Sequence, residues 1–417
     1  MLYFEKLNWD SNKISNYIDK EEVLVLSMVS NTISLYLPHF NMYAISNELF
    51  DVLISALKSK KDIIISNLKS LNNKIPLLSF IKKWNLWDTI IDVDGLFYSK
   101  YNIKLTDVKL KNYNEDLEYF NNVYINFIKT RYNNNSVKIP LPILYDLEYQ
   151  KSKSWFQIYD KYKNQFKTPE YNAFISRSFA FNELETNGIF FNKEIIKPIY
   201  NIDSSYTGRV SCSWNKINFM ALNKNSEINE QITSRFGDNG KLYNFDYDAF
   251  HPRIIFNLLK KPIPYDVNGH KYLAEKYFNA DEETHDEIKA KIFKLLYGSY
   301  IPNNKLSNIM NNFKEKIIFL KTNLKRYVMN VEDRKQVNYF IQKYEVDLIT
   351  ISMLSIIQLL KKYKSKMILY QYDSLIFDIH NDEEKELIEL IKNIMENVND
   401  MKFKIKLKSG INFKEIR

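Results

Sequence analysis

The sequence predicts a protein of mixed α and β structure, and three patterns support this fold class. Residues 23–38 hold two runs rich in β-branched residues, interrupted at Asn31, as expected of paired strands. Residues 242–248 form an apolar run that ends in two acids, and residues 367–379 have the pattern of a β-hairpin. Apolar residues recur at helical spacing in several segments between these strands. With 417 residues, 45% of them hydrophobic, the chain can bury more than one core.

The first 105 residues predict a small α/β domain. Helical spacing at residues 47–58 and 76–84 follows the first strands, and an Ile triplet at 63–65 predicts a strand between those helices.

The next section is rich in tyrosine and asparagine and extends over residues 106–180. Helical spacing recurs in it at residues 117–129 and 151–163, on either side of polar turns. We interpret this section as a packed helical connector or a mobile arm.

Charge and composition favour a polyanionic partner. Lys and Arg number 59 against 50 Asp and Glu, which gives a net charge of +9, and 15% of the residues are aromatic. Cations combined with flat rings favour nucleic acid over a membrane surface. The single cysteine, Cys212, excludes an internal disulfide, and with five scattered histidines it cannot complete a structural zinc site.

A cytoplasmic location is expected, which would be the host cytoplasm for a viral protein. The first residues lack the basic and apolar order of a signal peptide, and no apolar run reaches the ~18 residues that span a bilayer. The lone cysteine agrees with a reducing compartment. We therefore expect no membrane partner.

Two aspartates are candidate metal ligands. Asp246 lies near the end of the apolar run at 242–248, and Asp373 lies near the turn of the predicted hairpin. If the sheet brings them together, their charges repel unless a divalent cation neutralises them, and Mg²⁺ prefers such oxygen ligands. Two ions ~3.5 to 4 Å apart would stabilise an in-line phosphoryl transfer. On spacing alone, an Asp at a strand end is more often a turn or capping residue.

One predicted helix places four chemically useful side chains on a single face. His285, Lys289, Phe293 and Tyr297 are spaced by four residues, so they share a slowly turning stripe. This face suits a nucleoside triphosphate, with Lys289 on phosphate and Phe293 stacked on the base. On spacing alone, the alternative is a basic amphipathic helix whose aromatic residues enter the core.

Several blocks recur in a recognisable order. Residues 207–211 read Thr-Gly-Arg-Val-Ser, and an Asn at 218 begins an apolar segment. Later blocks lie at residues 246–253, 285–298, 334–347, 372–374, 394–396 and 408–413. In this order they resemble the family A DNA polymerases related to bacterial polymerase I, with residues 246–253, 285–298 and 372–374 similar to motifs A, B and C. The resemblance covers roughly residues 183–417.

The resemblance implies a right-hand polymerase fold of the α+β class. Residues 183–417 would form the palm, with an antiparallel sheet, and helical fingers at about residues 262–340. Only 18 residues separate Ile189 from Gly208, too few for the family's helical thumb, so a reduced or displaced thumb is expected. Residues 106–182 would then be a helical connector or a substitute thumb.

Residues 1–105 occupy the place of the family's 3′–5′ exonuclease. The segments 63–71 and 87–89 resemble its middle, but the required Asp-x-Glu of the first strand is missing from residues 21–37. Hydrolysis with two metal ions needs several convergent carboxylates. We therefore expect a degenerate exonuclease-like domain.

The resemblance also implies roles for single residues. Asp246 and Asp373 would be catalytic metal ligands, assisted by the backbone carbonyl of Tyr247. Lys289 would be catalytic through the incoming triphosphate. The other substrate-binding positions would be His251, His285, Phe293 and Tyr297. Contacts to DNA would come from Thr207, Arg209, Asn218 and Gln342.

Three departures from the family pattern bear on these roles. His251 stands where the family usually has a Glu that blocks a 2′-hydroxyl, and its bulk still predicts a steric gate. His285 replaces an Arg, which predicts weaker and pH-sensitive nucleotide affinity. Tyr372 and Ser374 replace a His and a Glu beside Asp373, which leaves one fewer nearby carboxylate.

The sequence thus predicts a template-directed DNA polymerase of a minimal phage or mobile-element type. It would add dNTPs to a primer 3′ end with two Mg²⁺ ions, or with Mn²⁺ as a substitute. Expected partners are primer–template DNA, dNTPs and a processivity or replisome factor. The alternatives are a single-subunit RNA polymerase or primase-like enzyme, a catalytically dead subunit that binds primer–template, and a basic nucleic-acid-binding module.

Overall fold

The computed structural model describes most of the second half of the chain and parts of the first. The described segments are 16–18, 20–29, 32–40, 42–45, 62–65, 90–92, isolated positions between 149 and 160, 169–202, 205–278, 285–296, 302, 304–317, 319–326 and 332–417. The predicted helices at 47–58, 76–84 and 117–129 and the side chain of Tyr297 lie outside the described residues. The chain divides into two compact units, Met1–Ile175 and Ser176–Arg417.

The N-terminal unit contains a five-stranded mixed sheet. Its strands are β1 (Val23–Val29), β2 (Thr32–Leu37), β3 (Met42–Ile45), β4 (Asp62–Ile65) and β5 (Ile90–Asp92). They lie in the order β3-β2-β1-β4-β5, and β1 pairs antiparallel with β2 and parallel with β4. Leu24, Val25 and Ile64 are fully buried, as expected where both faces of a strand are covered. The predicted strands on either side of Asn31 and at residues 63–65 are confirmed.

Two acids beside this sheet have side-chain partners. Glu21, just before β1, is buried and pairs with Nδ1 of His39, and this bond raises the pKa of His39. Tyr159 donates a hydrogen bond to the carboxylate of Asp62 at the start of β4. Strand β1 itself contains no acid. The exonuclease-like nature of this unit stays a prediction.

The C-terminal unit combines helices with antiparallel strands. Its described helices are α1 (Pro169–Asn187, which spans the unit boundary), α2 (Ile228–Gln231), α3 (Phe250–Leu258), α4 (Gly269–Tyr277), α5 (His285–Leu296), α6 (Lys305–Ile317), α7 (Asp333–Leu360) and α8 (Glu384–Glu396). Its strands are β6 (Ile189–Phe191), β7 (Glu194–Ile196), β8 (Ile199–Asn201), β9 (Ser211–Ser213), β10 (Gly240–Tyr247), β11 (Lys366–Gln371), β12 (Ser374–His380), β13 (Asn397–Val398), β14 (Met401–Lys402) and β15 (Ile405–Gly410). Within the described part of the chain, no helix is both long and apolar enough to cross a membrane.

A four-stranded sheet forms the centre of this unit. Its order is β11-β12-β10-β15, and every neighbouring pair is antiparallel. The two inner strands are almost wholly buried, and the rings of Phe245 and Phe377 meet edge to face across them at 5.2 Å. The long helix α7 packs against α3, α6 and α8, while α5 packs against α4 and α6. The predicted strand at 242–248 and the hairpin at 367–379 are confirmed.

A buried arginine fixes the chain after β10. Arg253 of α3 is almost completely buried and donates to both the carboxylate and the carbonyl oxygen of Asp248. Its remaining bonds go to the carbonyl oxygens of Ile263, Pro264 and Val267. A buried guanidinium needs this many acceptors because it has five N–H donors. The network therefore holds the end of β10, α3 and the loop before α4 in one arrangement.

Candidate active site

The sheet brings the two predicted metal ligands together. Asp246 near the end of β10 pairs with Ser374, the first residue of β12. The backbone N–H of Tyr247 donates to the carbonyl oxygen of Asp373 at 3.0 Å. Asp373 occupies the turn between β11 and β12, where Tyr372 has a positive φ of 55°. Both aspartates thus lie at the same end of two hydrogen-bonded strands.

Burial and mutual repulsion change the acidity of both aspartates. Burial, followed by the charge of Asp373, raises the pKa of Asp246 to about 7, and Lys406 and Lys408 on β15 oppose this shift. Burial also raises the pKa of Asp373, followed by the charge of Glu345. Asp246 is half-buried and Asp373 reaches solvent. Two adjacent carboxylates favour a bound cation, because it removes the cost of ionising both.

The donor set fits a divalent cation bound through oxygen. Asp246 and Asp373 supply carboxylate oxygens, which suit Mg²⁺ or Mn²⁺ better than softer metals. Among the residues that the structure describes, no group of three or more His, Cys, Asp or Glu side chains is arranged to hold a metal ion. A cation at this site would therefore depend on the two aspartates, with backbone or substrate oxygens completing its coordination.

A third acid enters the site from α7. Glu345 is fully buried, and its Oε2 binds both Nη2 of Arg209 and Nε2 of His251. Burial alone would raise the pKa of Glu345, but the charges and hydrogen bonds of His251 and Arg209 outweigh it and lower the pKa. The other oxygen, Oε1, is buried and has no hydrogen-bond partner among the described residues. The charge of Glu345 in turn raises the pKa of Asp373.

The loop that contains Arg209 lies against the hairpin turn. The guanidinium of Arg209 sits 5.2 Å from the ring centroid of Tyr372, a cation–π contact. Gly208 has a φ of +81°, and a Cβ there would lie 3.0 Å from Nη1 of Arg177, so glycine suits this position for two reasons. Thr207 is buried, and its hydroxyl hydrogen bonds with that of Ser205 at 3.0 Å.

Three of the predicted nucleotide-binding residues, His285, Lys289 and Phe293, lie on α5. Lys289 is exposed, whereas Ile292, Leu295 and Leu296 are fully buried, so the helix is amphipathic. The ring of Phe293 lies 5.6 Å from that of His270. His285 is the first residue of this helix. In the described part of the chain, Lys289 makes no hydrogen bond or ion pair with Asp246 or Asp373.

Two other predicted DNA contacts have local roles. The side chain of Asn218 accepts from the N–H of Met220 at 3.1 Å and caps a short 3-10 turn. Gln371 at the end of β11 donates to the carbonyl of Phe219 in that turn, which links the turn to the hairpin. Gln342 donates from Nε2 to the Oδ1 of Asn338 at 2.6 Å.

Sequence reasoning missed Glu345. The residue lies three positions after Gln342, in a run of α7 where most neighbours are buried and apolar. A charged residue in such a run is rarely buried without a partner, and this signal was available from the sequence. Its partners, Arg209 and His251, are too distant in sequence to be inferred without the fold.

The C-terminal segment is similar to a known family. Residues 309–415 match the family model described as DNA polymerase family A. This segment contains Gln342, Glu345, Asp373 and most of the central sheet. The predicted family resemblance is confirmed.

A curated relative agrees with this assignment. A DNA polymerase of Bacillus phage SP01 is 25% identical over 269 residues, which cover 49% of this chain and 29% of that protein. The chain therefore spans less than a third of the length of this relative.

A solved structure shares the fold. The POL domain of Pol1 from M. smegmatis, in complex with DNA primer-template and dNTP, superposes with a TM-score of 0.54 at 12% identity. The superposition covers 97% of this chain and 98% of that domain. The predicted mixed α and β fold is confirmed at this level.

Proposed function

We propose that this chain is a template-directed DNA polymerase that adds dNTPs to a primer 3′ end. The observation that supports this most is the adjacency of Asp246 and Asp373 at one end of the central sheet, in a chain whose residues 309–415 match the model of DNA polymerase family A. Phosphoryl transfer requires charge neutralisation and positioning more than covalent chemistry by the protein, and two adjacent acids beside several cations provide both.

Asp246 and Asp373 would hold divalent metal, with Mg²⁺ as the expected ion and the carbonyl of Tyr247 as an additional oxygen donor. Bound Mg²⁺ would supply neutralisation of charge at the attacking and leaving oxygens. The protein's own part is to keep the two carboxylates adjacent through the β10–β12 pairing. The rigid strands avoid reorganisation of these acids during the reaction.

The incoming nucleotide would lie between the central sheet and α5. Lys289 would bind its triphosphate as an exposed point charge, and Phe293 would stack on its base, with His285 and Tyr297 as further nucleotide contacts. This assignment is supported by the exposure of Lys289 on a helix whose apolar residues are buried. His251, buried beside Glu345, would be the steric gate for the sugar.

Primer–template DNA would contact the surface around Arg209. The half-buried rings of Tyr206 and Tyr339 lie 5.4 Å apart. Nζ of the buried Lys343 lies 4.2 Å from the centroid of Tyr206, so Lys343 supports this ring from within the protein and Arg209 is the partly exposed cation. Rings combined with cations favour a nucleic-acid strand. Arg209 and Gln342 lie on the two elements that contribute these residues, and Thr207 and Asn218 would support the same loop.

The domain roles follow from this proposal. Residues 183–417 would be palm and fingers, with the fingers at about residues 262–340, and residues 1–105 a degenerate exonuclease-like domain. The segment from Ile189 to Gly208 contains the short strands β6, β7 and β8 where it is described, which supports a thumb that is reduced or displaced. Residues 106–182 would supply a connector or a substitute thumb, and a processivity factor would strengthen the binding of DNA.

The test is extension of a labelled primer–template by the intact chain with Mg²⁺ and dNTPs. We expect extension by the wild type and its loss in Asp373→Asn by more than the ~100-fold that outer metal-site partners cost. Asp238→Asn, which changes an exposed acid of the same unit, is the matched control and should extend normally. Preference for NTPs would support the RNA polymerase or primase alternative. DNA binding without any extension by the wild type would support the inactive subunit.

A further inference from the structure

We propose that Glu345 is a positioning residue of the active site. Its buried carboxylate holds His251 and Arg209 side by side next to Asp373. It thereby controls both the selection of dNTPs over NTPs and the binding of the primer end. The proposal rests on the polymerase function proposed above and adds a residue that acts through two others.

Three distant parts of the chain meet at one oxygen atom. Oε2 of Glu345, from α7, binds Nη2 of Arg209 from the loop before β9 and Nε2 of His251 from α3. The side chain of Glu345 is 1% exposed, that of His251 10% and that of Arg209 25%. The solvent exposure of the side chain thus increases from Glu345 through His251 to Arg209. Substrate can reach Arg209 from solvent, whereas Glu345 lies behind both of its partners.

The carboxylate is required for this arrangement. Nη2 of Arg209 and Nε2 of His251 lie only 3.4 Å apart, and two hydrogen-bond donors this close are favourable only when a shared acceptor lies between them. A buried carboxylate in turn needs such partners, because an uncompensated charge in the interior is costly. Removal of the charge at Glu345 would therefore release His251 and Arg209 together.

The cluster of Glu345, His251 and Arg209 lies near Asp373, one of the two proposed metal ligands. Burial, followed by the charge of Glu345, raises the pKa of Asp373, and His251 and Arg209 oppose this shift. His251 lies on α3, directly after the strand that contains Asp246. Arg209 covers the ring of Tyr372, the neighbour of Asp373. A change in the position of His251 or Arg209 would therefore be transmitted to the site where sugar and primer meet.

The experiment compares Glu345→Gln and Glu345→Asp with the wild type. Steady-state kcat and KM are measured for dNTPs and for NTPs, and the Kd of labelled primer–template is measured by fluorescence anisotropy. For Glu345→Gln we expect the selectivity for dNTPs over NTPs to fall about 10- to 100-fold and the Kd for DNA to rise about 10-fold, the effect of losing a charged hydrogen bond. Glu345→Asp keeps the charge and should recover part of both losses.

The matched control is Asp347→Asn on the same helix. Asp347 is equally buried and pairs with Arg326, but it faces Thr322 rather than the site. We expect this variant to lower the thermal unfolding midpoint and to leave selectivity and DNA affinity unchanged within about 2-fold. In the double variant His251→Ala/Glu345→Gln, selectivity should fall no further than in His251→Ala alone, because Glu345 acts on the sugar through His251.

Several results would overturn the proposal. One is a folded Glu345→Gln protein with unchanged selectivity and DNA affinity. Another is an equal loss in Asp347→Asn, which would indicate a merely structural role. A collapse of kcat together with an altered Mg²⁺ requirement would indicate that Glu345 is a metal ligand instead. If the wild type fails to extend any primer, the proposed function fails, and the Kd for DNA still decides whether Glu345 positions Arg209.

Discussion

The backbone N–H of Tyr247 donates to the carbonyl oxygen of Asp373 at 3.0 Å. This bond continues the β10–β12 ladder by one step into the hairpin turn, so the position of Asp373 is set by the backbone rather than by its own side chain. The two acids therefore remain adjacent although burial and their mutual repulsion raise the pKa of Asp246 to about 7. Because the fold keeps the two carboxylates adjacent, a bound cation would remove the repulsion between them, and this favours cation binding.

Cation binding should therefore stabilise the protein. Addition of saturating Mg²⁺ to chelator-treated wild type should raise the thermal unfolding midpoint, because the ion binds the folded state and relieves the repulsion between Asp246 and Asp373. At a concentration of 100 Kd the stabilisation would be about 2.7 kcal/mol. Calorimetry with and without Mg²⁺ measures this shift.

Variants at the two aspartates separate this site from general salt effects. Asp246→Asn and Asp373→Asn should lose most of the Mg²⁺-dependent shift, while the surface control Asp238→Asn should retain it. An equal response to Mg²⁺ in all four proteins would contradict a cation site at the two aspartates.

The metal-free protein should lose stability as the pH rises. The pKa of Asp246 is raised from its ordinary value of 3.8 to about 7 in the folded protein. Between these values the unfolded carboxyl is ionised while the folded one keeps its proton, so the unfolded state binds fewer protons and stability falls with rising pH. Above about pH 7 this contribution becomes constant.

The measurement is the free energy of unfolding in urea with a chelator, at about pH 5 to about pH 8. The Asp246→Asn variant has no proton to lose at this position, so it should show a smaller fall than the wild type over the same range. The difference between the two proteins isolates Asp246 from other titrating groups. Parallel pH profiles would show that the acidity of Asp246 is normal.

The strands and the pair of aspartates could be predicted from sequence for a physical reason. Apolar runs that end in acids indicate burial and strand ends directly, so the strand before Asp246 and the hairpin around Asp373 could be predicted. The spacing left open whether the two acids meet, and the register of β10 with β12 brings them together. The partners of Glu345 could not be predicted, because Arg209 and His251 come from segments whose contact depends on the packing of α3 against α7. The spacing of residue types within one segment contains no information about contacts between distant segments.

The local roles of Thr207 and Asn218 also could not be predicted from their residue types without the fold. Thr207 reads as an exposed hydroxyl in a polar loop, yet it is buried against its own turn. Asn218 reads as a DNA contact, and its side chain caps a 3-10 turn. In both cases a short polar side chain satisfies nearby backbone or side-chain groups, a local use that competes with the predicted one.

Two glycines with similar backbone angles should respond differently to alanine. Gly188, which follows α1, has a φ of +63°, and Gly237 has a φ of +58°. A Cβ at Gly188 would lie 2.4 Å from the carbonyl oxygen of Ile196, whereas a Cβ at Gly237 meets nothing within 4 Å. Gly237→Ala should cost about 1 to 2 kcal/mol for the left-handed backbone alone.

Gly188→Ala should exceed that loss by at least about 2 kcal/mol, because backbone atoms of β7 must move to admit the methyl group. Urea unfolding of both variants gives the comparison directly. Equal losses would mean that the contact between Gly188 and β7 is looser than the structure indicates.

The buried Arg253 network should dominate the stability of the segment after β10. Arg253→Met removes the guanidinium and leaves Asp248 and three carbonyl oxygens without it, so we expect a loss of about 3 to 5 kcal/mol in the free energy of unfolding. Lys271 is the control: it is exposed and lies 3.7 Å from Glu275 one helical turn away. Lys271→Met should change stability by no more than about 0.5 kcal/mol. Comparable losses in the two variants would show that Lys406, which binds Asp248 at 2.6 Å, compensates for the missing arginine.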